Sequence, residues 1–468
     1  MDADGFIVMD MGYGVPENAA PPPAAGAEVK VQAPAATAAA TVTVTATATA
    51  QDVAAAPALV PEPAEAPPAT GAALVATYKR PIQTIELKKE VVALHFLGGA
   101  VDASDAAPRM LMTATSDGCV RLFEAGARRA AGMVRGPKCG IVDAASAGTE
   151  AYLVPADAAE GIARVDLSNG RELGGLSCRG DGDDDETAAR ELSCVAAGER
   201  GSSIVVAAGE GGDVFVWDTR VGPRGSSRRS VGGAARSNAG CAPVMTLHVA
   251  GAARVSSLAL GGYGDVAGAA PASVAVVASN GAKVFDLRNG GSGSSRPTRL
   301  QSREPGTRWC GVAKTSGGEF ATLSTTGDVT AWRQSGAGYA PVRTMRNVAG
   351  VTENTNSHSS NASFAPAFAT SAGSLAVAAN GDVVSAFDVT DGSTASEWNI
   401  SDGMASAGGG NGFVRNGWGH GVNDDGEIVS LRAAAFGFGA ESQSFGASSF
   451  ALGFTDGVVR VYGPGDSR

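Results

Sequence analysis

Two short stretches set an aromatic ring, a carboxylate and a guanidinium at the same spacing: Trp217-Asp218-Thr219-Arg220 and Phe285-Asp286-Leu287-Arg288. An aspartate two residues ahead of an arginine can cap the end of a strand and pair locally with that arginine. Left unpaired on a surface, the same arginine can meet an acidic protein. Arg224, Arg228 and Arg229 follow the first box, and no acidic residue stands between residues 220 and 236. Groups that usually carry catalysis are sparse. Of the four histidines, His95 and His248 fall in predicted strands and His358 and His420 in polar loops. No Gly-x-Ser-x-Gly elbow, phosphate-binding glycine loop or HExxH pattern occurs. The six cysteines, Cys119, Cys139, Cys178, Cys194, Cys241 and Cys310, include no CxxC pair, so metal-ligand spacing is absent and reduced thiols are expected. The expectation is a non-catalytic chain with no cofactor and no metal.

The elements that carry the two boxes are hairpins. In residues 202–220 two apolar, β-branched runs, 204–208 and 214–217, flank Gly209-Glu210-Gly211-Gly212, where glycine supplies the positive φ of a tight turn. The same plan recurs in residues 110–124 (turn Asp117-Gly118, aromatic Phe123) and 273–288 (Asn280-Gly281, Phe285). It recurs again in residues 319–332 (Gly327-Asp328, Trp332), 374–388 (Asn380-Gly381, Phe387) and 448–462 (Asp456-Gly457, Tyr462). A weaker copy, residues 151–167, keeps Gly161 and Asp166 but has no aromatic, which makes seven hairpins.

Further strand-like runs flank the hairpins, at residues 91–97, 192–197, 244–249, 255–260, 342–345 and 428–434. Four strands per repeat follow, but the last repeat runs out of chain at Tyr462. The unclaimed segment 82–87 (IQTIEL) can supply the missing strand and remove the open edges.

Turn, terminal aromatic and the Trp217-Asp218 pair together resemble the WD-repeat (WD40-like) β-propeller family, of which this is a divergent member over residues 78–464. The resemblance implies an all-β fold: a seven-bladed β-propeller of four-stranded antiparallel blades, closed by strand 82–87, with a disordered N-terminal tail over 1–77 and a short end at 465–468. Only one repeat carries a true Trp-Asp. The family's Gly-His is missing, since Gly419-His420 lies too far upstream of Ile428, so its buried His–Ser/Thr–Asp–Trp network is expected to be incomplete. The family implies a protein-interaction scaffold or adaptor, a monomeric propeller within a multiprotein complex. As the alternative, the two boxes resemble those by which substrate receptors dock on the adaptor of cullin–RING ubiquitin ligases; a propeller hydrolase is a distant third. The Phe-Arg-Arg-Gly signature of phosphoinositide-binding propellers is absent, Arg128-Arg129 being flanked by alanines.

Charge is uneven. Residues 1–78 hold eight carboxylates and one lysine, a balance of −7 within a total of −11. Overall charge therefore disfavours direct nucleic-acid binding. Residues 19–76 are low-complexity Ala, Pro, Thr and Val and are expected to stay disordered. Ahead of them Phe6, Ile7, Val8, Met9 and Tyr13 form a candidate linear motif among acidic residues. With neither a secretory-type start nor an apolar run of about 20 residues, no membrane insertion is expected and the location is cytoplasmic or nuclear.

Overall fold

The chain divides into two units, Met1–Ala66 and Pro67–Arg468. The computed structural model describes residues 81–97, 110–124, 129–157, 161–178, 191–198, 202–221, 241–249, 251, 254–261, 271–288, 297–301, 307–315, 319–336, 338–346 and 450–462, plus the backbone of strands between 368 and 436. All belong to the second unit. The candidate tail motif (Phe6, Ile7, Val8, Met9, Tyr13) and Arg224, Arg228 and Arg229 lie outside the described residues.

After β1 (Gln83–Glu86), six four-stranded antiparallel sheets are each built from strands consecutive in the chain. The first sheet holds β2 (Val91–Leu97), β3 (Met110–Thr115), β4 (Cys119–Glu124) and β5 (Gly132–Arg135). The second holds β6 (Ile141–Ala147), β7 (Glu150–Pro155), β8 (Ile162–Asp166) and β9 (Arg171–Leu176). The third holds β10 (Leu192–Ala197), β11 (Ile204–Gly209), β12 (Asp213–Asp218) and β13 (Met245–His248), and the fourth β14 (Val255–Gly261), β15 (Ser273–Ala278), β16 (Gly281–Asp286) and β17 (Thr298–Leu300). The fifth holds β18 (Trp309–Lys314), β19 (Phe320–Ser324), β20 (Val329–Ser335) and β21 (Gly338–Met345), and the sixth β22 (Phe368–Thr370), β23 (Leu375–Asn380), β24 (Val383–Asp388) and β25 (Thr394–Asn399).

Next comes a small three-stranded sheet of β26 (Val414–Arg415), β27 (Gly421–Val422) and β28 (Ile428–Val429). The sequence suggested one strand over 428–434. Instead the run is shared: β28 ends at Val429 and β29 (Leu431–Phe436) starts another sheet. That sheet also holds β30 (Phe450–Phe454) and β31 (Val458–Tyr462), and its fourth strand is β1, paired antiparallel to β31 with Ile85 opposite Val459. The strand expected at 82–87 thus completes the last sheet from the opposite end of the described chain.

The strands form where β-branched and small apolar residues run together, and most central strands are buried on both faces. Their inner strands meet in succession. β2 lies against β6, β6 against β10, β10 against β14, β14 against β18 and β18 against β22; β22 then lies against β29, and β29 against β2. The architecture is a propeller-like repeat of sheets.

Two recurrent features fix these inner strands. In each of six a bulge follows the first residue, between Val91 and Ala93, Ile141 and Asp143, Leu192 and Cys194, Val255 and Ser257, Trp309 and Gly311, and Leu431 and Ala433. A bulge sharpens local twist, as a steeply rotating succession of sheets requires. Polar side chains also bond to the backbone of the next sheet. His95 Nε2 meets the Ala144 carbonyl at 2.8 Å, and Asp143 accepts the Val195 N–H at 2.9 Å. Ser193 donates to the Val255 carbonyl at 2.8 Å, while Ser257 accepts the Val312 N–H at 3.1 Å.

The terminal aromatics fill the gaps between sheets. Trp217 and Trp332 are wholly buried, and Phe285, Phe123 and Tyr462 nearly so. In the weak copy Val165 takes the aromatic's place on β8, opposite Ala151. Trp332 Nε1 donates to Thr322 at 2.7 Å, whereas Trp217 Nε1 donates to the Ser177 carbonyl at 3.2 Å. The indole of Trp332 thus bonds a strand hydroxyl, and that of Trp217 a backbone carbonyl.

Candidate interaction site

Both boxes sit where the third strand of a sheet ends, in the adjacent third and fourth sheets. At the first, Asp218 Oδ1 accepts the Arg220 N–H at 3.0 Å and the Arg220 Nε at 3.0 Å, while Oδ2 accepts Nη2 at 2.7 Å. At the second, Asp286 repeats the geometry with the Arg288 N–H at 2.9 Å, Nε at 3.2 Å and Nη2 at 3.1 Å. Each aspartate turns the chain and holds the guanidinium in a two-pronged pair. The arginine beside each holds the carboxyl below its ordinary range, at Asp218 most strongly.

The turn does not need the arginine. In the second sheet Asp166 caps the same strand end by accepting the Ser168 N–H at 2.8 Å and its hydroxyl at 2.6 Å. Trp217 and Phe285 lie in the interior, so what each box presents outward is the arginine, 75 % exposed at Arg220 and 55 % at Arg288.

Strands of the second sheet support the first box. Glu150 accepts a two-pronged bond from Arg164 at 2.7 and 2.8 Å and the Tyr152 hydroxyl at 2.6 Å. The Tyr152 hydroxyl also interacts with Thr219, the third residue of the box. Burial first, then Glu150, pushes the Tyr152 hydroxyl up, so it stays a donor.

The sequence left open whether these arginines pair locally or stand unpaired on the surface. Among the described residues Arg220 pairs with Asp218, Arg288 with Asp286, Arg164 with Glu150 and, in the fifth sheet, Arg333 with Glu319. At both boxes the arginine is an exposed ion pair rather than an unpaired cation. Glu150 opens the second strand of its sheet and Glu319 lies just ahead of the second strand of its own, so strand pairing rather than sequence proximity makes those two matches.

On the opposite side, His248 Nδ1 lies 2.5 Å from Asp213 Oδ1, the ring largely exposed and the carboxylate buried. Among the described residues no group of three or more His, Cys, Asp or Glu is placed to hold a metal, and the cysteines are free thiols. No described helix is long and apolar enough to cross a membrane. No protein-family model matches this chain. No curated protein matches it either.

Proposed function

We propose that this protein is a non-catalytic interaction scaffold built on a divergent seven-bladed WD-repeat propeller, working in the cytoplasm or nucleus within a multiprotein complex. The observation that carries the reading is the return of the inner-strand contacts, from β2 round through β22 and β29 to β2, together with β1 completing the last sheet. Six consecutive sheets and this composite one support a reading of seven blades. Such a ring offers rigid faces of loops, and among the described residues two strand ends carry the exposed pairs Asp218–Arg220 and Asp286–Arg288. Exposed Asp–Arg pairs suit a charged protein surface that exchanges partners with them, through contacts weakened by salt.

The test is affinity purification of the wild-type chain and an Arg220→Ala/Arg288→Ala variant, with partners identified by mass spectrometry. Surface substitutions of this kind usually change stability by no more than about 0.5 kcal/mol, so the variant should melt like wild type. A scaffold using this face loses part of its partner set. Loss confined to a cullin adaptor would instead select the ligase-receptor reading. An unchanged partner list would remove the boxes from the interaction surface.

A further inference from the structure

We propose that Lys283 and Arg299 form a binding site for a phosphate group where the fourth sheet packs on the third.

Lys283 lies in the middle of β16 and is only 3 % exposed. Its partners across the sheet are Val276 on β15 and Arg299 on β17. Alternate residues of a strand share a face, so Lys283 points the same way as Phe285. Phe285 and Val276 belong to the apolar cluster formed with Val214, Val216, Leu247 and Val249 of the third sheet and its flank. The lysine stem therefore runs through the gap between the two sheets, and Arg299 beside it is exposed.

Neither cation has an ion-pair partner among the described residues. Like charges directly opposite on neighbouring strands destabilise a sheet. Burying an ammonium without a partner costs more still. Burial, and then Arg299, lower the Lys283 pKa, which reports the same strain.

Equivalent positions in other sheets show what is missing. Two residues before the terminal aromatic, the first sheet has Arg121 and the closing sheet Arg460. Arg121 donates to Thr115 Oγ1 at 3.0 Å, and Thr115 in turn donates to the turn carboxylate Asp117 at 2.6 Å. Arg460 lies over the Phe454 ring at 5.2 Å, with its charge felt by the turn carboxylate Asp456. In the fourth sheet the turn residue is the neutral Asn280, and the strand position corresponding to Thr115 holds Ala278. A cation is kept here while its internal counter-charge is gone and a second cation stands alongside. Natural sequences break a local rule of this kind mainly where function requires it. A phosphate between the ammonium and the planar guanidinium fork supplies the absent charge and accepts from both.

The test uses the full chain, melted in chloride, inorganic phosphate or O-phosphoserine at equal ionic strength. Ligand that binds only the folded state raises the melting temperature in proportion to its occupancy. Phosphate should raise the wild-type midpoint above chloride, and Lys283→Met and Arg299→Gln should each weaken the apparent affinity about tenfold or more. In chloride neither variant should melt below wild type, because each removes one of two repelling charges. A matching response to O-phosphoserine supports a site for an esterified phosphate; a response to inorganic phosphate alone supports a site for the free ion. Arg299→Gln is exposed, so it keeps the test decisive should Lys283→Met fail to fold. A wild-type chain indifferent to phosphate, or variants that respond as wild type does, would overturn the proposal.

Discussion

Replacing Gly457 by alanine tests the closing sheet through a single methyl group. Gly457 sits in the β30–β31 turn at φ +82, and its carbonyl accepts the Leu87 N–H at 2.8 Å just beyond β1. An alanine Cβ there would stand 2.5 Å from both the N and the O of Lys89 and 2.9 Å from the Lys88 N. These are backbone atoms, and Lys88 itself already holds a left-handed φ of 61. The left-handed conformation alone costs an alanine about 1–2 kcal/mol. Pushing the 87–89 backbone away adds an overpacking cost of about 1–3 kcal/mol. Gly211, in the β11–β12 turn, provides the control: its φ is +88, but a Cβ there meets nothing within 4 Å. Gly211→Ala should therefore lose only the conformational part, about 1–2 kcal/mol. Denaturant titrations followed by tryptophan fluorescence would measure both. Equal losses at the two positions would refute the reasoning, because the closing strand would then contribute nothing at Gly457.

The other predictions concern the interior. Trp217→Ala should cost about 3–5 kcal/mol, as expected of a fully buried aromatic, in the same titration. Trp332→Phe keeps most of the ring but loses the 2.7 Å bond to Thr322, so it should cost about 1 kcal/mol beyond the lost volume. Burial lowers the His95 pKa from 6.5, outweighing its bond to Ala144. The folded chain then resists a proton that the unfolded chain accepts, so the stability tied to His95 is present above about pH 6.5 and lost as pH falls below it. His95→Gln should flatten that acid-side loss, seen by comparing denaturation midpoints near neutral pH and at about pH 5.5.

Much of the fold was legible because the repeat is written in short-range chemistry. Turn residues such as Asp117-Gly118 and Asp456-Gly457 specify the hairpin, and the aromatic five residues past the turn glycine specifies the buried end. The closing strand could be inferred because the last repeat is one strand short at Tyr462 and the segment 82–87 is left unclaimed; the structure buries Ile85 while exposing Thr84 and Glu86. The inner-strand bulges were not legible, since they arise from how the sheets turn relative to one another. Nor was the charge balance around the boxes: Glu150 is 14 residues from Arg164, and only strand pairing brings the two together. Splitting residues 428–434 between β28 and β29 likewise depends on partners elsewhere in the chain.

The central claim is that the sheets form one closed ring, and two truncations test it most directly. Removing residues 1–77 leaves β1 in place, whereas removing residues 1–87 deletes it and bares the edge of β31. Thermal melts of the two should differ sharply: the shorter deletion melting with the full chain, the longer one well below it or aggregating. Coincident melts for all three chains would contradict closure by β1, and with it the ring.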